Sequence, residues 1–311
     1  MIQRIGLLNT IFIYIIMDVS VIIVNYNTKE LTAKCIDSIY AQTFGVSFEV
    51  ILVDNASTDG SAFHFERDDR IHFVKSDINL GFGKANNLGY KYAEGRYIFL
   101  LNSDTVLLNN AIKLFYDKME SSDMSVGCMG CLLEDPNHHY VHSYADFPKV
   151  CNMMYSHVSP RLFRLVGYGD IKMDDPKRRE RNPSFFQVEY VTGADLFIRK
   201  EVIEECGMFD PDFFMYYEDP EMQHRFVKRG YFSFIFDAPR IVHLEGRSMK
   251  PDNRKMFISF DSHLKYLRKT QPKLEVLILQ ILLLFKWVFH CSLTNNGKLY
   301  FRSIMGMNYK F

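Results

Sequence analysis

The residues best suited to chemistry stand in short polar blocks, each placed after an apolar run. Glu218-Asp219 follows the aromatic run Phe213-Phe214-Met215-Tyr216-Tyr217, and a carboxylate there can take a proton from an attacking hydroxyl. Asn102-Ser103-Asp104 ends a strand-like run and offers a hard oxygen ligand where a divalent cation could bridge a diphosphate. His243, in His-Leu-Glu-Gly-Arg-Ser248, supplies an imidazole after another strand. Asp54-Asn55, in the block that runs on to Gly60, can accept from a base N–H or a ribose hydroxyl. Asn79, Gly81, Gly83 and Asn86 form a block whose glycines allow close backbone approach to a ligand. Singly, each acid serves equally well as a helix cap, and His243 as a hydrogen-bonded core residue. Their order along one chain makes the functional reading more specific.

Alternating strands and helices must position these blocks. Val19 to Val24 is a β-branched run of the kind buried on both faces of a sheet, and Asn27 with Glu30 predicts a helix start of capping-box type. Phe48 to Val53, Ile71 to Val74 and Tyr97 to Leu101 read as further strands, which implies a mostly parallel sheet with ligands at the carboxyl ends. The first turn, Asn25-Tyr26-Asn27-Thr28, lacks the glycines of a dinucleotide fold, and no Walker lysine motif follows. Beyond residue 125 the pattern predicts a strand from Val126 to Leu133 and a loop-rich stretch from Tyr144 to Pro183. Within that stretch, Lys172 to Arg181 reads as a solvated charged loop. A strand from Val188 to Val191, helices from Arg199 and Asp219, and a strand from Tyr231 complete the body.

With 37 Lys+Arg against 37 Asp+Glu, the chain lacks the positive field of a nucleic-acid binder. Charge is nevertheless uneven: eight basic residues and one acid between Lys265 and Phe311 leave +7 there and −7 elsewhere. The six scattered cysteines fit a reduced, cytoplasmic chain; Cys128 and Cys131 with His138, His139 and His142 match no common zinc spacing and read as strand thiols beside loop histidines. The apolar run Ile5 to Ile16 lacks a cleavage site and is short for a span, so residues 1–17 read as an extension, an upstream-start artefact or a membrane-touching segment. Val276 to Phe289 is likewise short for a span. Its basic flanks and Trp287 predict attachment to a membrane surface, against packing on the main domain or on a second subunit as a homodimer.

Seven ordered blocks (VSVIIVNYN, ILVDNASTDGS, NLGFGKANNLGY, FLLNSDT, VTGADLFIRK, FDPDFFMYYEDPEMQHR and HLEGRS) resemble the family 2 glycosyltransferases, particularly their bacterial rhamnosyltransferase-like branch. The likeness covers roughly residues 18–268 and leaves 269–311 as a basic, apolar tail. It implies a GT-A fold of the α/β class, a nucleotide-diphosphate sugar donor, Mg²⁺ or Mn²⁺, inversion at the anomeric carbon, and a lipid-linked saccharide acceptor at the inner face of the cell membrane. By position it implies Asp219 as base with Glu218 beside it for the acceptor, and Asp104 and His243 as metal ligands. Asn25, Asn27, Asp54, Asn55, Asn79, Gly81, Gly83, Asn86, Asn102 and Ser103 would surround the donor, with Thr192, Gly193 and Ala194 as its floor. The four aromatics Phe213, Phe214, Tyr216 and Tyr217 are candidates to stack on acceptor rings, half of them by default being core. Asn102 departs from the family's pattern in place of an acid, and Pro220-Glu221 after the acids departs from it too, which leaves the base open to a shift of one position. A silent relative that only binds sugar nucleotide or a partner enzyme is the alternative; a nucleotidyltransferase would need a glycine-rich basic loop after the first strand.

Overall fold

The computed structural model describes residues 17–157, 184–244, 253–290 and 295–307. The charged loop expected at 172–181, the extension at 1–16 and Gly246 to Ser248 lie outside them. An eight-stranded sheet forms the centre, in the order β3-β2-β1-β4-β10-β6-β11-β8. Strands β1 (Val19–Asn25), β2 (Phe48–Asn55), β3 (His72–Ser76) and β4 (Tyr97–Asn102) run parallel. The apolar residues of β1, β2 and β4 are buried on both faces because helices cover both, which is why these strands carry continuous apolar runs, whereas the edge strand β3 exposes His72 and Lys75. β1 is followed on one side by β2 and flanked on the other by β4, so chain direction switches at the carboxyl ends of β1 and β4. That switch opens a crevice.

Helix α1 (Lys29–Gln42) buries Thr32, Cys35, Ile36 and Ile39 on one face. It does not start at Asn27: Thr28 is the N-cap residue, and Asn27, at φ 55°, turns its side chain to the next loop instead. The remaining elements of the first half are α2 (Ser61–Phe65), α3 (Phe82–Tyr90), the short β5 (Thr105–Leu107), α4 (Ala111–Glu120), β6 (Val126–Gly130), β7 (Tyr144–Ala145) and α5 (Val150–His157). Two of these occupy the stretch expected to be loop. After β8 (Phe185–Val188) and β9 (Tyr190–Val191) comes a strand the sequence reading did not separate, β10 (Asp195–Arg199), antiparallel to β4 and β6. Its charged ends conceal it. Arg199 is buried and donates to Val126, Met119 and Ser122 carbonyls at 3.0, 2.8 and 3.2 Å, completing the end of α4.

The chain continues through α6 (Lys200–Cys206), α7 (Glu218–Lys228), β11 (Phe232–Phe236) and β12 (Ile241–His243), which pairs with β5. It ends in α8 (Asn253–Thr270), α9 (Lys273–His290) and α10 (Asn295–Met305). These last helices share a third apolar cluster with α5 and Phe213. The boundary expected at 268/269 falls inside the last turn of α8, whose Leu264 and Leu267 pack with Val276 and Leu279 of α9 in that cluster. α9 buries one face; the other exposes Leu274, Leu277, Ile278, Ile281, Phe285 and Val288. Among the described residues no helix is long and apolar enough to cross a membrane.

Candidate active site

A cleft of about 620 Å³ opens at the carboxyl ends of β1, β2 and β4. Asn55, Asn79, Gly81, Asn102, Ser103, Asp104, Thr192, Gly193, Ala194, Glu218, Asp219 and His243 all line it. Five expected donor-binding residues do not line it. Asn25 and Asp54 are fully buried: Asn25 Nδ2 donates to Asp54 Oδ1 (2.8 Å) and Ser57 Oγ (2.9 Å), and Asp54 Oδ2 accepts from Ser57 N–H. Asn27 Oδ1 accepts from Thr58 N–H at 2.7 Å. These three stitch the first two loops together. Asn86 donates to the Phe82 carbonyl within α3, and Gly83 faces Phe209, so both serve helix packing.

Gly81 stands at φ +80° and precedes α3. Asn55 and Asn79 hold it: Asn79 Oδ1 accepts from Gly81 N–H (2.9 Å) and Asn55 Oδ1 from Leu80 N–H (2.8 Å). Phe82 N–H then donates to the Phe214 carbonyl at 2.9 Å, tying this loop to the segment that leads into the acids.

Glu218 and Asp219 open α7, where the helix dipole favours an ionised carboxylate. Tyr216 and Tyr217 before them are both left-handed, at φ 69° and 67°, an uncommon state for aromatic residues. Contacts from α8 hold that shape. Ser262 Oγ donates to the Met215 carbonyl (2.8 Å), and the His263 ring stacks on Tyr217 at 4.5 Å. Of the four aromatics proposed to stack on acceptor, Tyr216 lines the cleft; Phe213 is buried in the third cluster and Tyr217 is occupied by His263.

Burial pushes the Glu218 carboxyl up to about 8, with the Asp219 charge adding to it. Burial also raises Asp219, to about 6, opposed by the Gly193 N–H that donates to its Oδ2 at 3.0 Å. The two carboxyls therefore resist double ionisation, and near neutral pH the pair retains one proton. Glu218 Oε2 has no hydrogen-bond partner among the described residues. The next acid in the helix, Glu221, is committed to Arg225 at 3.0 Å. Because both raised carboxyls hold protons more tightly folded than unfolded, stability should fall as pH rises from the ordinary carboxylate range through about 8. Melting temperatures across that range check this, and Glu218→Gln should flatten the upper part of the decline.

Along the β1–β4 side, Asp104 Oδ1 lies 3.2 Å from His243 Nε2, which is also 3.4 Å from Asn102 Nδ2. The pairing of β12 with β5 sets that distance.

The Glycosyl transferase family 2 model matches residues 20–207, more than half of the chain. The chain belongs to glycosyltransferase family 2. It is 27% identical over 218 residues to the low-salt glycan biosynthesis hexosyltransferase Agl10 of Haloferax volcanii, covering 67% of this chain and 61% of that protein. It is 26% identical over 220 residues to the N-acetylglucosaminyl-diphospho-decaprenol L-rhamnosyltransferase of Mycobacterium tuberculosis (strain H37Rv), covering 65% and 68%. The chain spans 37% and 61% of the length of the first two curated relatives it matches. Among solved structures, GalNAc-T7 with UDP, GalNAc and Mn²⁺ superposes with a TM-score of 0.60 at 15% identity, over 82% of this chain and 48% of that one. The fold of this family 2 transferase is GT-A.

A divalent cation is the cofactor that fold suggests. Among the described residues no group of three or more His, Cys, Asp or Glu converges. Asp104 and His243 would offer such a cation two donors of suitable type facing the cleft. The zinc alternative has no support: Cys128 bonds Gln223 and Ser233, and His138 bonds Glu134.

Sequence reasoning missed several cleft residues of the transferase. Tyr26, Thr28, Met215 and Lys255 line it, and His142, weighed only for zinc, does too. Tyr26 was legible as an aromatic at a strand end; Lys255, beside Arg254 in a mixed polar stretch, carried no signal. Asp195, fully buried beneath Ala194, was missed as well. Burial raises it to about 7, and it accepts from Cys131 N–H at 2.6 Å.

Proposed function

We propose that this transferase moves a single sugar from a nucleotide-diphosphate donor, dTDP-rhamnose or a UDP-hexose, to a hydroxyl of a lipid-linked glycan, with inversion, in bacterial surface polysaccharide synthesis. The observation that carries this reading is the placement of the Glu218–Asp219 pair and the Asp104–His243 pair in one cleft. An inverting transfer needs a base on the acceptor and charge neutralisation at the leaving group, and the two pairs suit those tasks.

Ionised Asp219 accepts the proton of the acceptor hydroxyl as that oxygen attacks the anomeric carbon from the face opposite the leaving diphosphate. The Gly193 N–H holds the carboxylate in place. Glu218, protonated, donates a hydrogen bond to the acceptor sugar. Asn55, Asn79 and Gly81 receive the nucleotide side of the donor, and Thr192, Gly193 and Ala194 underlie its sugar. Mg²⁺ or Mn²⁺, held by Asp104 and His243, supplies neutralisation of the charge on the diphosphate when bound. The acid limb of kcat/KM should then fall near pH 6, the value to which Asp219 is raised, and persist in Glu218→Gln. A pH–rate profile of both proteins checks this.

The exposed apolar face of α9, on a segment bearing +7, supports peripheral attachment to the inner face of the membrane, where such an acceptor resides. Calorimetric titration with UDP, dTDP and GDP sugars, with and without Mn²⁺, tests the reading. Metal-dependent binding of one donor is expected, and it should lose its metal dependence in His243→Ala. Absence of binding to all of them by folded protein would replace the transferase by a silent scaffold.

A further inference from the structure

β9 pairs with β7 along one edge, and along the other the backbone of its last residue, Val191, meets a side chain of α7. Gln223, fully buried in the second turn of that helix, accepts from the Val191 N–H through Oε1 at 2.8 Å and donates to the Val191 carbonyl through Nε2 at 2.7 Å. Exchanging both bonds with one residue is what a paired strand does. Ser233 Oγ of β11 donates to the same Oε1 at 2.8 Å, and Nε2 donates again to the Asp219 carbonyl at 3.2 Å, so the orientation of the amide is set.

The N–H groups that follow alternate in direction. Thr192 donates to the Ser143 carbonyl at 3.0 Å, beside β7, and Gly193 donates to Asp219 Oδ2 at 3.0 Å. Val191 and Gly193, two apart in the chain, are thus bound to Gln223 and Asp219, four apart on one face of α7. Four helical residues rise about 6 Å and two extended residues about 6.6 Å, so one register of helix against chain satisfies both bonds. Val191 and Gln223 are fully buried, so water does not take over the bonds of the amide.

We propose that Gln223 is a positioning residue for the base: it sets the register in which α7 presents Asp219 to the Gly193 N–H and to the floor of the cleft formed by Thr192, Gly193 and Ala194. The role of Asp219 as base rests on the transferase reading; the register rests on the two bonds themselves. Because the Gly193 N–H opposes the effect of burial on Asp219, a slip of the helix changes both the aim of the carboxylate and its hold on a proton. The titratable groups around Asp219 are Glu218 and Tyr217 before it, Tyr190 of β9, and Asp104, His142, His243 and Lys255 in the cleft. Substitution at position 223 alters none of them.

The first test needs no substrate. Amide hydrogen exchange at Gly193, and the lower carboxyl midpoint of the Glu218–Asp219 pair followed by carbon-13 NMR, are measured on wild type, Gln223→Met and Phe226→Leu. The last thins the core beneath the same helix and leaves both bonds in place. In Gln223→Met, protection at Gly193 should fall by about tenfold or more, and the midpoint should rise by about 0.5 pH unit or more, since the lost N–H favoured the ionised form. Phe226→Leu should lower the melting temperature and leave both readings at wild type. Gln223→Glu at about pH 5, where a buried carboxyl keeps its proton, can still accept from the Val191 N–H and donate to its carbonyl, and should restore protection. Should Gln223→Met not fold, Gln223→Asn, which keeps the amide one methylene short, carries the same expectation. Wild-type readings in the amide-deleted or shortened variant, equal changes in Phe226→Leu, or no restoration by Gln223→Glu would each overturn the proposal. Turnover then separates it from the transferase reading. If the NMR changes appear and wild type transfers no sugar, the register stands and the base falls. In an active enzyme Gln223→Met should lose about tenfold or more in kcat at an unchanged donor KM, and wild-type kcat would overturn the positioning role while leaving the transferase intact.

Discussion

Asp219→Asn should lower turnover by about 10²–10⁴-fold, the usual contribution of a positioned general base, while donor affinity stays at the wild-type value. The substitution keeps the size of the side chain and an oxygen able to accept from the Gly193 N–H, so the start of α7 keeps its geometry. What it removes is the ability to take a proton. Because Asp104 and His243 lie on the β1–β4 side of the cleft, the donor's diphosphate should not register the change. Single-turnover kinetics beside donor titration separates these effects. Wild-type turnover in Asp219→Asn would reject the base, and Glu218 would inherit the role, since Glu221 is already engaged by Arg225.

The second large effect is steric. A Cβ added at Gly81 would stand 2.1 Å from the Phe214 carbonyl oxygen and 2.9 Å from its carbon, and backbone cannot swing aside as a side chain does. Gly81→Ala therefore combines the strain of a positive-φ, extended-ψ conformation essentially confined to glycine, about 1–3 kcal/mol, with displacement of the segment leading to Glu218 and Asp219. A shift of about 1 Å at reacting groups costs about 10²-fold in rate. Gly60 gives the control: its φ is +83°, but nothing lies within 4 Å of an added Cβ. Gly60→Ala should lose stability alone, whereas Gly81→Ala should lose more stability and most of its activity. Melting temperature and kcat measured on both variants decide it, and equal losses would mean that the Phe214 contact does not govern the acids.

The parallel strands were legible because double-sided burial demands uninterrupted Val, Ile and Leu, and β1 and β2 display that plainly. β10 was not, because Asp195 and Arg199 enclose only three apolar residues, and their partners come from β6 and α4. The same contrast runs through the site. Strand-end polar residues were legible as a set, yet type and spacing cannot tell one that faces a ligand from one that binds the adjoining loop. Asn79 and Asn55 line the cleft while holding the Gly81 loop, whereas Asp54 is buried against Asn25 and Ser57, and neither outcome is written in the residue type. The left-handed pair at Tyr216 and Tyr217 was invisible for another reason: the side chains that hold it, Ser262 and His263, come some 47 residues later in the chain.

That separation also sets an order of events in the life of each molecule. Synthesis runs from the amino end, and domains tend to fold as their segments emerge. The strands bearing the asparagine loops can pair as soon as β4 exists, but the acids' segment lacks its struts until α8 has been made. On the proposed reading, a chain that reaches His243 but ends before residue 262 would carry the residues for the donor without the struts of the acids, a binder without being a catalyst.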